Sequence, residues 1–136
     1  METLLRRAGF FRELPHGLPE DPSLVESRGG LPEEDRERAA AYLRKGAVFS
    51  ASGGMFKDWF TGEQVIAHHT QTDGVWMWPA DLPHYVERHA TALPEELLQR
   101  MRDLEWKCPV LTRQELIALS EEFFEFMRKN KKKNKG

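Results

Sequence analysis

Long apolar runs are missing from these 136 residues, and cysteine is reduced to Cys108 alone. A helix that crosses a bilayer needs about 20 apolar residues in succession, so no such span and no membrane partner are expected. The first ten residues, METLLRRAGF, lack the continuous apolar stretch of a secretory signal, which predicts a cytoplasmic protein. One cysteine makes neither an internal disulfide nor a multi-cysteine zinc site. The length suits one compact unit, because a single core of ordinary size uses about 100–150 residues. An apolar share of 40% beside a charged share of 31%, with Phe 8 and Trp 4, excludes collagenous and fully disordered chains.

Charge of either sign is present but unevenly placed. Six basic residues, Arg128, Lys129, Lys131, Lys132, Lys133 and Lys135, fall in the last nine positions, leaving 14 basic against 22 acidic residues, a formal −8, before them. Two parts are therefore expected, a single domain over 1–127 and a basic, disordered tail over 128–136. An acidic globule offers no phosphate-binding face, so nucleic acid would be met only by the tail, through Lys131, Lys132 and Lys133. No aromatic residue lies between those lysines to stack a base.

The fold class expected is α+β, a small antiparallel meander of three to four strands against three to four helices. Leu4 to Ala8 suggests a short first helix, followed by breaker-rich Leu14 to Pro22. Pro32-Glu33-Glu34-Asp35 opens a confident helix that closes on Arg44 and Lys45, with Gly46 as its left-handed C′ residue. Short β-type segments follow, Ala47–Ala51, Met55–Phe60, Gln64–Thr70 and Val75–Trp78. Asp73-Gly74 between the last two signals a type I′ hairpin. Trp76 and Trp78 alternate with Val75 and Met77, so both faces of the final strand are apolar and it is expected inside the sheet. Asp81 caps a helix carrying Leu82, Tyr85, Val86 and His89 at helical spacing. Pro94-Glu95-Glu96 starts another, with Leu97, Leu98, Met101 and Leu104 directed at the sheet. Thr112 and Glu115 form a capping box for a C-terminal helix with a wide apolar face, Leu116, Ile117, Leu119, Phe123, Phe124 and Met127.

Chemistry-bearing motifs are sparse. His68 and His69, near Asp58, Glu63 and Asp73, are the one dense run of titratable residues, but adjacent positions on a strand face opposite ways. A small enzyme with His68 or His69 as general base is an alternative that would need a carboxylate partner. His84 and His89, five apart on a helix, miss the i, i+4 spacing of paired metal ligands, so no metal and no cofactor are expected. Ser50-Ala51-Ser52-Gly53-Gly54 lacks the lysine of a phosphate loop and the pattern of a nucleophile elbow, and reads as a turn. Cys108 has no nearby histidine or basic cluster to activate it. Trp59, Phe60, Trp76 and Trp78 fall within twenty residues. Core packing is the first explanation for such a cluster; an exposed subset would anchor a partner.

The segment Thr72-Asp73-Gly74-Val75-Trp76-Met77-Trp78-Pro79-Ala80-Asp81-Leu82-Pro83-His84-Tyr85-Val86-Glu87-Arg88 resembles a family of small, uncharacterised bacterial proteins that share a T-D-G-x-W-x-W-P-x-D-L-x-Y-Y-V-E-R-type stretch. The resemblance extends to Glu13–Gly17, Asp21–Leu24, Tyr42–Ala47 and Leu93–Glu95, with His84 departing from the family's first tyrosine. It carries over no catalytic residue. The general look, acidic, α+β and rich in tryptophan around a hairpin, is similar to that of bacterial toxin-immunity proteins. A non-enzymatic binding protein that occludes a toxin or other basic protein partner is therefore the leading expectation. Trp59, Glu63, Asp73, Trp76, Trp78 and Asp81 are its candidate contact residues, and a nucleic-acid accessory acting through the tail is the alternative.

Overall fold

The computed structural model describes residues 5–15 and 17–135, the side chains of 49–56, 66–68, 126–127 and 130–135 excepted. In chain order the elements are β1 (Arg6–Arg7), α1 (Leu24–Ser27), α2 (Glu33–Arg44), β2 (Ala47–Lys57), β3 (Gln64–Thr72), β4 (Trp76–Pro79), α3 (Leu82–His89), α4 (Glu95–Asp103) and α5 (Arg113–Lys135). The fold is α+β. Its four strands lie in the order β1-β4-β3-β2. β2, β3 and β4 form the antiparallel meander, but β1 joins β4 in parallel, Arg6 beside Trp76 and Arg7 beside Met77. The stretch expected as a first helix is thus an edge strand: Arg6 N–H bonds Val75 O and Ala8 N–H bonds Met77 O. Among the described residues, no helix is long and apolar enough to cross a membrane.

β4 is internal, and its alternation divides the core. Trp76 and Trp78 join Tyr42, Leu43, Leu82, Tyr85, Val86, Leu97 and Met101 in the larger cluster, under α2, α3 and α4. Met77 belongs to a second cluster with Leu5, Phe10 and Phe123 of α5. Trp78 satisfies its indole N–H on Leu43 O at 3.1 Å, as a fully buried tryptophan must.

Local signals place most helix ends. Glu33, Glu34 and Asp35 occupy the first turn of α2, with Pro32 at the N-cap. Gly46 follows the C-cap, but it is not left-handed: a Cβ there would sit 2.5 Å from Trp78 Cζ2, so close approach to the indole is what calls for glycine. The capping box of α5 forms in both directions, Thr112 N–H to Glu115 Oε1 at 2.9 Å and Glu115 N–H to Thr112 Oγ1 at 3.1 Å. The apolar face of α5 is covered less than expected, with Phe123 buried while Ile117 and Phe124 are half exposed; the side chain of Met127 lies outside the described ones. Helical backbone continues over 128–135, the segment set apart by its charge.

Two turns differ from expectation. Ser50–Gly54 is no turn, because β2 runs straight through with a register shift between Ala51 and Met55, an extra-residue irregularity that glycines accommodate. Asp73-Gly74 does join β3 to β4, but only Gly74 has positive φ, +99°. Asp73 instead shapes the turn with its side chain, Oδ1 accepting from Val75 N–H at 2.9 Å and Trp76 N–H at 2.8 Å.

Candidate functional site

The β2–β3 connection is built around Asp58. Its Oδ1 accepts from the amides of Phe60 (2.8 Å) and Thr61 (3.2 Å), its N–H bonds Glu63 O at 2.8 Å, and its carbonyl accepts from Gly62 N–H at 2.7 Å. Gly62 takes the positive φ, +76°, that this tight loop requires. With one carboxylate oxygen committed to the turn, the other is left to face outward from it.

That second oxygen meets α3. His84 Nε2 stands 2.6 Å and His89 Nε2 2.8 Å from Asp58 Oδ2. Burial favours the neutral carboxyl, but hydrogen bonds from both histidines, then from the Phe60 and Thr61 amides, outweigh it and hold Asp58 well below the usual carboxylate range. An ionised carboxylate only accepts, so each Nε2 presents an N–H to the same oxygen. Tyr85, between the two histidines on α3, reaches the same loop: its hydroxyl accepts from Trp59 N–H at 2.8 Å and donates to Lys57 O at 3.2 Å. Burial raises the Tyr85 pKa, so the phenol keeps the proton that this second bond needs.

Aromatic rings close the sides. Phe60 lies 4.7 Å from the His89 ring, centroid to centroid, and Arg28 stacks over the far side of the group with its guanidinium 4.3 Å from the Phe60 centroid. His89 Nδ1 is buried without a hydrogen-bond partner among the described residues, so Asp58 and ring packing alone orient that imidazole. One donor atom from each of Asp58, His84 and His89 lies within 4.8 Å of the other two, the spacing of a group that could hold a metal ion. The two side chains thus meet where their spacing suggested they would diverge. Five residues on an ideal helix point about 140° apart, but His89 is the last residue of α3, and both side chains lean around Tyr85 to one acceptor.

A second buried carboxylate, Asp73, is enclosed differently. Its Oδ2 accepts from the Tyr42 hydroxyl and from Arg100 Nε at 2.9 Å, and Arg100 also bonds Asp73 O at 3.3 Å. Burial, then the Asp73 hydrogen bond and charge, push the Tyr42 phenol up beyond its ordinary range. All the acceptor sites of Asp73 face groups that stay protonated at neutral pH, which makes it a structural tie between α2, α4 and the hairpin.

Of the residues expected to meet a partner, only Trp59, 49% exposed, and Glu63 stand on the surface. Trp76, Trp78, Asp73 and Asp81 are buried to 3% or less and cannot touch one. The tryptophans fill the core, Asp73 ties the hairpin, and Asp81 occupies the N-cap position of α3. Lys131, Lys132 and Lys133 fall on α5 backbone, their side chains outside the described ones. His69 pairs across from Ala51 in the sheet, and the His68 side chain also lies outside the described ones. Among the described residues, the imidazoles that meet a carboxylate are His84 and His89. Cys108 is half buried, and burial with the nearby Asp73 charge pushes its thiol up to about 11, the reverse of an activated nucleophile. A separate hollow of about 260 Å³, lined by Arg7, Phe10, Asp21, Ser27 and Pro94 among others, has the Arg7–Asp21 ion pair at its polar wall. Compared with known proteins, the chain matches no family model, no curated protein and no solved structure.

Proposed function

We propose that this chain is a non-enzymatic, cytoplasmic binding protein of the immunity kind, which occludes a basic protein partner such as a toxin with the loop Asp58–Glu63. The observation that carries this reading is a half-exposed tryptophan on a loop whose backbone is already fixed. Trp59 N–H is held by Tyr85, the next two amides by Asp58, and Asp58 by two histidines. An aromatic anchor on a pre-ordered loop binds without the cost of ordering it, about 0.5–1.5 kcal/mol for each side chain immobilised. Tryptophan is among the residues most enriched at the energetic centres of interfaces. Glu63, exposed at the end of the same loop, and the −8 charge over residues 1–127 favour a basic partner by steering and complementarity.

Affinity capture from the source organism tests this, with the full chain, Trp59→Ala, Glu63→Lys and a chain ending at Met127 as baits. The reading expects a stoichiometric basic protein held by the full chain and the shortened chain and lost with Trp59→Ala. A partner held equally by Trp59→Ala counts against the loop. Nucleic acid recovered only by the full chain moves the function to residues 128–135.

A further inference from the structure

We propose that Asp58, His84 and His89 form a binding site for one divalent transition-metal ion of the zinc class, a site that stands independently of any partner of the Trp59 loop. Two imidazole nitrogens and one carboxylate oxygen converge on one point from two elements, 26 and 31 residues apart in sequence. Nitrogen donors of this kind select zinc, iron, cobalt, nickel or copper over magnesium and calcium, which take oxygen.

The distances suit an ion after a small opening. A metal bound at about 2.0–2.1 Å to each donor requires donors about 3.0–3.4 Å apart. The pairs observed at 2.6 and 2.8 Å need to spread by about 0.2–0.8 Å, and the donors of His84 and His89, within 4.8 Å of each other, to settle at the same spacing. His84, with 15% of its side chain exposed, has room to do so, while His89 at 9% is the fixed member. Its exposed side also leaves space for water to complete the coordination shell.

The surroundings orient the donors. The Phe60 and Thr61 amides lock the Asp58 carboxylate so that Oδ2 is aimed at the histidines, the outer-shell support that metal carboxylates use. His89 sits in the last turn of an eight-residue helix, at the end where the backbone carbonyls favour positive charge. On binding, the ion takes the place of the hydrogens at the two Nε2, and each ligating ring then carries its proton at Nδ1. For His89 this puts an N–H at a buried Nδ1 that has no acceptor among the described residues. Affinity is accordingly about 10–100-fold below that of a site in which both imidazoles are supported.

Calorimetric titration of the full chain with zinc chloride, paired with the visible spectrum of the cobalt-loaded protein, is the test. One equivalent is expected to bind. His84→Gln and Asp58→Asn should each weaken binding at least tenfold and abolish the cobalt spectrum, while His69→Gln, outside the cluster, should leave both unchanged. Far-ultraviolet circular dichroism of each variant reports folding; should Asp58→Asn unfold, the more exposed His84→Gln carries the result alone. Absence of saturable binding in the wild type, or binding that His84→Gln leaves intact, overturns the proposal.

Discussion

Two buried aspartates sit at the two connections of the meander, and they are built alike on one side and unlike on the other. Asp58 and Asp73 each spend one carboxylate oxygen on two amides of their own turn. The second oxygen of Asp73 meets an arginine and a tyrosine, that of Asp58 two histidines. Arginine and a buried phenol hold their protons throughout the ordinary range of pH, so the Asp73 centre has one state and serves as a tie. Imidazole can exchange a proton for a metal ion, so the Asp58 centre has more than one state available. The surfaces differ in the same sense: the Asp73 turn leads into two fully packed tryptophans, the Asp58 turn displays one half exposed.

The largest effect expected from breaking this comparison is on stability at the closed centre. Asp73→Ala strips a partly buried guanidinium and a buried phenol of their buried acceptor, and should cost about 3–5 kcal/mol in urea unfolding near neutral pH. Asp58→Asn, which keeps a side-chain oxygen as acceptor for the loop amides, should cost less, about 1–3 kcal/mol. A reversal of that order would mean the two centres have been assigned the wrong way round. The tryptophans sharpen the contrast in the same assay: Trp76→Ala should lose about 3–5 kcal/mol through the cavity it leaves, whereas Trp59→Ala should stay within about 0.5 kcal/mol of wild type.

Acid provides the next smaller effect. A carboxyl with a folded-state pKa below its unfolded value contributes stability that is complete above the unfolded value and is lost as pH falls through the folded one. Asp58 is lowered in this way, so wild type should weaken as pH drops below about 4, and Asp58→Asn should show a shallower decline by urea midpoint. Glu13 behaves similarly at the start of α1. Burial opposes its ionisation, but the Ser23 hydroxyl and the Leu24 and Val25 amides outweigh that and bring it to about 2. Glu13→Gln should therefore remove the part of the acid response that falls between about pH 4.3 and 2. The smallest expected change is kinetic. Cys108 should alkylate with iodoacetamide at mildly alkaline pH at least about tenfold more slowly than a free thiol, and Asp73→Ala, by removing the neighbouring negative charge, should speed it.

What was legible in the residues was local. Proline followed by acids marked the starts of α2 and α4, Thr112 and Glu115 capped α5 as their spacing demands, and alternation put β4 inside the sheet. β1 was not legible, because two arginines on an edge carry no apolar period, and what holds them is pairing with β4, some seventy residues away. Glycines at 53 and 54 suggested a turn, yet the strand continues through the same residues with a shift of register against its partner. The candidate site was hidden for a related reason. A spacing of five on one helix counts against shared ligation only while the acceptor is taken to lie on the helix face; Asp58 arrives from another element and lets both histidines lean. Asp58 directly before Trp59 and Phe60 was the one available signal, and its burial shows only in the fold.

A long-range proton–nitrogen NMR spectrum of the histidine and arginine side chains, recorded before and after one equivalent of zinc, tests the difference between the two centres most directly. The account predicts that the Nε2 signals of His84 and His89 move together, with their protons passing to Nδ1, while the Arg100 Nε signal stays in place. Unmoved histidine signals, or equal movement at Arg100, would contradict it.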